Sequence, residues 1–501
     1  MNRLKTVLLF TLAGLVVACS YNELPEHLSP LPTKEEWLVR DVETRAETYK
    51  GHILDEEYFV TAEDLNNYVK HQRNTIGRSN LTVKEVKSYG FDTSHTLFYI
   101  LNYNDGWEIV SADKRIQPSL AHGDNGKFTM DCNNEPMKFW MNMVADRILQ
   151  TRLGNSPKDD DITTASADSK RTPNEHLDNY TAFWNTISPP TNREQTRWEP
   201  LVPTPGPLVP IDSIYRYEID SEIVTTLTEQ VPYLLNTKWG QSHPWNQYCP
   251  LISEDSSTRA PAGCLPVAGA QLLYYLETEK GWPLRSPGNA SCSGTIDSYT
   301  MGFGSFNTLI WDSMAQNNSS TFSDSSKLHV AKLIAYVGEV IDVIYGDEES
   351  GSVANYNTFL QNMQQSFNMS IECNYALDST TVLTSLRDAM PVTVAANAPG
   401  ASIGHMWLID GFEIYSKVTT HYIATFDTPK TPEFLAMLDK NNADYSYTTT
   451  YSFIKFHMNW GWNGYQNGFF NWDPLEWTIN TNDGTTTYSD VFYVLYGYVK
   501  N

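Results

Sequence analysis

The chain has 501 residues, a length that predicts two or three domains with ample core. Its formal net charge of −24 argues against nucleic acid and anionic membrane surfaces as partners, because both would repel the chain. The six cysteines are scattered and no pair has CxxC spacing, which argues against a disulfide framework and a structural zinc site. We therefore expect a folded protein that holds neither a metal nor another cofactor.

The first residues predict an export signal. Arg3 and Lys5 precede an apolar run at 7–17, which is too short to span a bilayer but suits the core of a secretory signal peptide. The segment Val16-Val17-Ala18-Cys19 resembles a bacterial lipobox. That resemblance implies removal of residues 1–18 and a lipid on Cys19, which would anchor the chain in the bacterial cell envelope, at the membrane or the cell surface. Ordinary secretion after cleavage is the alternative.

Residues 19–150 are predicted to form a small α+β domain. The segment Thr61-Ala62-Glu63-Asp64 is typical of a helix start, with an acid placed for a capping box. Two β-type runs, at 97–103 and 107–111, flank a turn sequence and predict a hairpin. A second helix is predicted at 137–149. No cluster of catalytic residue types stands out in this domain.

Residues 151–225 are predicted to be a linker. The prolines between 189 and 210 are incompatible with a packed helix or a central strand. Proteases cut exposed backbone of this kind, so the segment is a candidate activation site. An uncut spacer is the alternative. The basic residues at which a cut is expected are Lys170, Arg171, Arg193, Arg197 and Arg216.

Residues 226–501 are predicted to form a second, larger α+β domain. Apolar residues recur at helical spacing between 328 and 345. The later part contains short β-type runs between turn residues, at 391–395, 406–409, 422–426, 453–458 and 491–499. A helical first half followed by a β-rich second half predicts a cleft between the two layers.

The second domain contains a cysteine that is placed for chemistry. In the segment Ala262-Gly263-Cys264-Leu265-Pro266, the glycine allows close backbone approach and the proline fits only the first turn of a helix. Cys264 is therefore predicted at a helix N-terminus, where unpaired N–H groups and the helix dipole favour a thiolate nucleophile. A buried structural thiol is the alternative.

Three further motifs supply partners for a thiolate. His405, between a glycine and a strand-like run, is the candidate base and is expected to form a thiolate–imidazolium pair with Cys264, with a structural histidine as the alternative. Asn459 is expected to orient the imidazole and Trp460 to shield that hydrogen bond from water, unless the segment is an ordinary aromatic hairpin. Gln241 is expected to stabilise an oxyanion together with the backbone N–H of Cys264.

The order Gln, Cys, His, Asn-Trp resembles that of papain-like cysteine peptidases, and the local sequence resembles the streptopain family over residues 231–501. The matching segments are Gly263-Cys264, Gly404-His405 with Ile409-Asp410-Gly411, Tyr345-Gly346 with Ser350-Gly351-Ser352, and Asn459-Trp460-Gly461-Trp462. This resemblance implies a papain-like fold. It also assigns substrate binding to Ser350, Gly351, Ser352 and Gly404. Pro266 and Asn463 depart from the family pattern, but neither change removes a catalytic atom.

The same family accounts for the first domain. Residues 106–115 resemble the hairpin of the streptopain pro-domain, which implies an intramolecular inhibitor and makes residues 151–225 its activation segment. The implied function is a cysteine endopeptidase made as a zymogen, with protein or peptide substrates and its own pro-domain as partner. A Cys–His cell-wall amidase is one alternative. A non-catalytic surface binding or inhibitor protein on a peptidase scaffold is the other.

Overall fold

The fold is taken from a computed structural model, which describes part of the chain. The described residues are 58–75, 82–90, 96–129, 134–152, 180–181, 183–185, 187, 215–252, 257–284, 309–346, 351–375, 377–397, 404–426, 428, 430–435, 437–472, 478–481, 484–487 and 493–500. They fall into two compact units. One unit holds residues 239–369 with Thr129 and Asn134, and the other holds the described residues of 58–128, 135–238 and 370–500. The predicted signal peptide, Cys19 and most of the predicted linker lie outside the described residues.

The helices and strands alternate unevenly along the chain. The helices are α1 (Ala62–Thr75), α2 (Glu135–Arg152), α3 (Cys264–Thr278), α4 (Asp324–Val340), α5 (Tyr356–Phe367), α6 (Ser379–Arg387) and the short α7 (Pro432–Leu435). The strands are β1 (Val83–Gly90), β2 (Thr96–Tyr103), β3 (Trp107–Ser111), β4 (Ser119–Gly123), β5 (Tyr215–Val231), β6 (Met369–Asn374), β7 (Val392–Asn397), β8 (Gly404–Phe426), β9 (Tyr445–Asn459), β10 (Gly468–Trp472), β11 (Thr478–Thr481), β12 (Gly484–Thr487) and β13 (Tyr493–Lys500). This mixture of helices and largely antiparallel strands confirms the α+β prediction.

The helical unit is built around α3, which is buried on most sides. Gly269 lies where α3 meets α4 and α5, because an added Cβ would come within 2.9 Å of Val337 and 3.1 Å of Phe359. The small residues of α3 therefore let the three helices pack closely. Helix α4 begins and ends before the predicted 328–345 helix does. Ser323 caps its start, and left-handed backbone at Asp342 (φ 56°) follows its end.

The first predicted domain has the expected elements. The Thr61 and Asp64 side chains cap α1 reciprocally, with Asp64 N–H donating to Thr61 Oγ1 at 3.1 Å and Thr61 N–H donating to Asp64 Oδ2 at 2.9 Å. Strands β2 and β3 form the predicted hairpin, and α2 contains the predicted 137–149 helix. None of the helices in the described part of the chain has the length and apolar character needed to cross a bilayer.

The second unit is organised by one sheet that crosses the predicted domain boundary. Its strand order is β1-β2-β3-β4-β10-β9-β8-β7-β13-β6, and β5 pairs with β8 in addition. Strands β1 to β4 come from the first predicted domain. They join the strands of the second domain where β4 pairs with β10, through His122 opposite Phe469 and Ala121 opposite Phe470. The junction between the two domains is therefore a short strand pairing inside one sheet.

Strand β8 is much longer than the sequence pattern suggested. The runs 406–409 and 422–426, predicted as separate strands, are parts of one strand because the residues between them are largely β-branched or aromatic. Beyond its pairing with β7, β8 pairs with β5 and β9 to form a three-stranded ribbon, which we define as residues 215–231, 412–426 and 445–456. A small separate core of Tyr217, Ile219, Ala424 and Leu435 closes one end of the ribbon.

Candidate active site

Cys264 is the first residue of α3, and the preceding residue makes that position possible. Gly263 has φ 89°, a left-handed value, and an added Cβ would lie 3.2 Å from the carbonyl oxygen of Ser352. No side chain caps this end of the helix. The first N–H groups and the positive end of the helix dipole therefore lie next to the half-buried thiol, which is in no disulfide among the described residues.

Two loops are held beside the start of α3. The Gln241 carbonyl accepts a hydrogen bond from the Ala262 N–H at 2.8 Å, two residues before Cys264. Ser352 Oγ donates to the Pro261 carbonyl and accepts from the Gly346 N–H at 3.3 Å. Gln241, Gly351 and Ser352 therefore belong to segments that adjoin the chain leading into the cysteine. Ser350 lies outside the described residues.

His405 is the second residue of β8 and is only 8% exposed. Its Nε2 lies 3.0 Å from the Trp460 carbonyl oxygen. A carbonyl oxygen only accepts, so Nε2 carries the hydrogen and Nδ1 keeps the lone pair of the neutral ring. Burial lowers the pKa of His405 from 6.5 to about 4, against the opposing effect of the Trp460 carbonyl. The ring is therefore neutral at neutral pH, and Nδ1 is its basic nitrogen.

The rings that cover His405 differ from the predicted one. Trp407 and Trp462 lie nearly parallel to the imidazole, with centroid distances of 6.3 and 6.0 Å. Trp460 is fully buried and instead packs against Trp407 and Phe470, at 5.4 and 5.3 Å. Trp460 acts on His405 through its main-chain carbonyl, and the shielding that the sequence assigned to its indole is supplied by the other two tryptophans.

Asn459 also contacts different atoms from those expected. It is the last residue of β9, and its Nδ2 donates to the Thr237 carbonyl at 3.0 Å. Its Oδ1 accepts from the Gly461 N–H at 3.4 Å rather than from the imidazole. Asn459 therefore links the main chain at Gly461, just after Trp460, to the main chain at Thr237. It positions His405 through the Trp460 carbonyl instead of by a direct side-chain contact.

The turn after Trp460 explains one departure from the family pattern. Gly461, Asn463, Gly464 and Gln466 all have left-handed backbone, with φ of 73°, 57°, 79° and 54°. Asparagine tolerates this conformation better than most residues do, so Asn463 fits the turn without a glycine. The turn closes when the Trp460 indole N–H donates to the Gln466 carbonyl at 2.9 Å.

A histidine–aspartate pair also lies on β8 and β9, the strands that carry His405 and Asn459, and it was not singled out from the sequence. His457 Nδ1 is 2.6 Å from Asp410 Oδ1, and Asp410 is fully buried. The other carboxylate oxygen accepts from the Leu235 N–H at 3.0 Å, and Tyr233 stacks on the His457 ring at 4.9 Å. This pair fastens residues 233–235 to the sheet. The signal for it was an aspartate inside an apolar strand, because a buried carboxylate requires a partner.

Gly404 is the last of the predicted site residues. Gly404 begins β8 and pairs with Asn397 of β7. Across the described ranges, no group of three or more His, Cys, Asp or Glu side chains lies close enough together to hold a metal ion.

Comparison with known families finds two matches. Residues 239–470 match the peptidase C10 family, and residues 58–148 match the Spi protease inhibitor family. The first match contains Gln241, Cys264, His405 and Asn459. The second contains the β1 to β4 strands and most of α2.

Individual relatives are distant in sequence. The chain is 21% identical over 412 residues to the thiol protease/hemagglutinin PrtT of Porphyromonas gingivalis, covering 79% of this chain and 36% of that protein. The chain thus spans about a third of the length of that curated relative. A prointerpain A fragment of Prevotella intermedia has 18% identity and a TM-score of 0.49, covering 84% of this chain and 99% of the fragment. Active interpain A of the same organism has 21% identity and a TM-score of 0.38, covering 55% and 97%.

Proposed function

The chain carries a peptidase C10 domain, of the streptopain family, behind a domain of the Spi protease inhibitor type, and on that basis we propose that it is a bacterial cysteine endopeptidase made as an inactive precursor. The observation that carries the proposal is Cys264. It is a half-buried thiol outside any disulfide of the described residues, at the start of a buried helix and within the C10 match. The substrates are proteins or peptides, and the proposed reaction uses side-chain and backbone groups of the chain together with water.

In the proposed reaction, Nδ1 of the neutral His405 ring takes the proton of the Cys264 thiol, and the resulting thiolate attacks the scissile carbonyl carbon. A C–S bond forms while the carbonyl electrons move to oxygen. The Cys264 backbone N–H and the Gln241 side-chain amide donate to that oxyanion. Collapse of the intermediate breaks the C–N bond, and the leaving amine takes a proton from His405. His405 then takes a proton from water, whose oxygen attacks the thioester, releasing the acid and restoring the thiolate.

Several contacts support these roles. The Nδ1 lone pair of His405 is the proton acceptor, because Nε2–H is committed to the Trp460 carbonyl. Asn459 is a positioning residue that fixes this carbonyl. Gly351 and Ser352, on a loop joined to Pro261 ahead of the cysteine, are proposed to bind substrate with Ser350 and Gly404.

Contacts at the sheet junction support the precursor part of the proposal. Lys455 of β9 is buried, and its Nζ donates to Ser119 Oγ of β4 at 2.8 Å. The ring of His122 stacks on Phe469 at 5.3 Å. We propose that the inhibitor-type domain is the intramolecular partner that keeps the peptidase silent. A lipid on Cys19 would place the precursor in the cell envelope; the alternative is secretion after signal cleavage.

The test is to locate the reactive thiol. The activated protein is treated with an irreversible, thiol-directed peptidyl inhibitor, and the adduct is mapped by mass spectrometry. Cys373 is the matched control, because it is likewise half-buried and outside any disulfide of the described residues, and burial raises its pKa. We expect the adduct on Cys264, none on Cys373, and no casein hydrolysis by Cys264→Ala. An adduct confined to Cys373, or an active Cys264→Ala protein, would contradict the proposal.

The same assay separates the alternatives. Digestion of peptidoglycan peptides without digestion of casein would identify a Cys–His amidase. A protein that neither hydrolyses these substrates nor reacts at Cys264 would be a binding or inhibitor protein.

A further inference from the structure

One docked segment lies between the two family matches and belongs to neither. The described residues of 180–187 are helical, and we call them the Trp184 segment. Trp184 is fully buried in one core cluster with Tyr68 and Val69 of α1. Its ring lies 5.6 Å from that of Tyr68, and Phe183 meets the His71 ring edge-on at 5.5 Å. The segment is therefore packed as part of the inhibitor-type domain, although the sequence placed it in the linker.

The same segment also touches the ribbon of the peptidase domain. The ring of Tyr180 lies 3.7 Å from Lys417 Nζ, in the middle of β8. Lys417 is only 2% exposed, and its Nζ has no hydrogen-bond partner among the residues that the structure describes. Burial lowers the pKa of this lysine from 10.5 to about 7. Tyr180 itself is 8% exposed, so the ring and the amine cover each other.

We propose that the ribbon face around Lys417 is a second docking surface for the inhibitory domain, and that the Trp184 segment is the element that occupies it. This inference rests on the proposed zymogen and adds a contact made by a segment that lies outside both family matches. A buried amine without a hydrogen bond costs free energy, which the cation–π contact with Tyr180 offsets only in part. The contact is maintained because the segment is tethered to the peptidase. Once the linker is cut, hydration of Lys417 favours release.

Two substitutions at this contact should change the dissociation rate of the cut inhibitory domain in opposite directions. Tyr180→Ala removes the ring that covers the lysine, so the cut inhibitory domain should dissociate roughly 10-fold faster. Lys417→Met keeps the length of the side chain but removes the buried charge, so dissociation should slow by roughly the same factor. Lys440→Met is the control, because Lys440 is an exposed lysine that pairs with Glu222 of β5 and does not contact Tyr180 among the described residues, so the rate should stay unchanged.

The experiment uses the full chain with Cys264→Ala, so that no peptidase activity is involved. A site for a sequence-specific protease is placed between residues 187 and 215, and release after cutting is followed by size-exclusion chromatography. Amine-reactive labelling with peptide mass spectrometry measures the exposure of Lys417 in the uncut and released forms. We expect protection of Lys417 before release and labelling after it, with Lys440 labelled in both.

Equal labelling of Lys417 in the uncut and released forms would overturn the docking surface. Unchanged or reversed dissociation rates in Tyr180→Ala and Lys417→Met would do the same. If one variant fails to fold, the other variant and the labelling of the parent still decide the question. A failure here would leave the peptidase proposal standing, since that proposal is tested by the adduct on Cys264 and by hydrolysis in the unsubstituted chain.

Discussion

Gln241 supplies two groups that can be separated by mutation. Its main-chain carbonyl holds Ala262, whereas its side-chain amide is the proposed oxyanion donor. Gln241→Ala keeps the first and removes the second. We therefore expect kcat to fall by ~10²-fold or more with KM little changed, because an oxyanion donor acts mainly in the transition state. Steady-state kinetics on a peptide substrate measures this, and Gln365→Ala, at an exposed position of α5, is the control. An unchanged kcat in folded Gln241→Ala would remove the residue from the site.

The depressed pKa of His405 predicts an acid-sensitive fold. The pKa of His405 is 6.5 in the unfolded chain and about 4 in the folded chain. Between these two pH values the unfolded state therefore binds more protons than the folded state. Stability is therefore lost as pH falls through that window, by up to roughly 3 kcal/mol for this one group. Denaturant unfolding of Cys264→Ala, with and without His405→Gln, at pH 6.5 and near pH 4 measures the difference. Equal acid sensitivity in the two proteins would contradict the buried neutral imidazole.

The residues of the site were easier to predict than their contacts. Residue type and spacing identified Cys264 at a helix start, because glycine and proline restrict the backbone there. The same reasoning assigned the partners of His405 to the side chains of Asn459 and Trp460, whereas a main-chain carbonyl and two other indoles contact the ring. Every residue has a carbonyl, so sequence cannot show which one a histidine contacts. The His457–Asp410 pair was missed for a similar reason, since its partners come from strand register.

The start of α3 depends on one glycine. In Gly263→Ala, the left-handed backbone costs about 1–2 kcal/mol, and the new Cβ lies 3.2 Å from the Ser352 carbonyl. We expect lower stability and slower alkylation of Cys264, because the helix start must shift. Chemical denaturation and the rate of thiol modification measure the two effects.

Gly281→Ala is the control for this substitution. Gly281 also has left-handed backbone, φ 63°, but nothing lies within 4 Å of its added Cβ. It should lose comparable stability without slowing alkylation of Cys264. If both variants slow alkylation equally, the contact with Ser352 has no part in placing the cysteine.

Strand lengths were the least predictable feature of the fold. Turn-forming residues end a pattern in sequence, but pairing with neighbours decides how far a strand continues. The predicted domain start at residue 226 falls inside β5, which runs along β8 from Tyr215 to Val231. The proline-rich stretch ends at Pro210, only five residues before β5 begins at Tyr215. Residue composition is an average over a stretch of sequence, so it cannot locate a boundary this narrow.

The position of β5 predicts where the mature peptidase begins. Arg216 was a predicted cut site, but it pairs with Thr425, and a protease requires an extended segment that is free of the sheet. We therefore expect the mature chain to start before Tyr215 and to keep β5. Intact-mass analysis of the activated protein measures its N-terminus, and Arg216→Gln should be processed normally. A mature chain that begins within residues 217–231 would contradict this assignment.

At the scale of the whole second unit, the inhibitor-type domain joins the peptidase sheet through a short strand pairing, in addition to the contact between Tyr180 and Lys417. Only two residue pairs join β4 to β10, and side chains such as Lys455 and His122 add to them. A contact of this size is effective while the domains are covalently linked, because tethering gives a high effective concentration. It becomes weak when the link is cut.

Peptidase activity should therefore differ between the uncut and the cut chain. The uncut chain should hydrolyse a fluorogenic peptide slowly, and cutting the linker should raise the rate by roughly 10²-fold or more, the range in which tethering acts. Cys264→Ala decides how the cut arises, because it should accumulate uncut if processing is autocatalytic and be cut normally if another protease acts. Full activity of the uncut chain would show that the inhibitor-type domain does not block the peptidase, since the sheet junction is intact in that form.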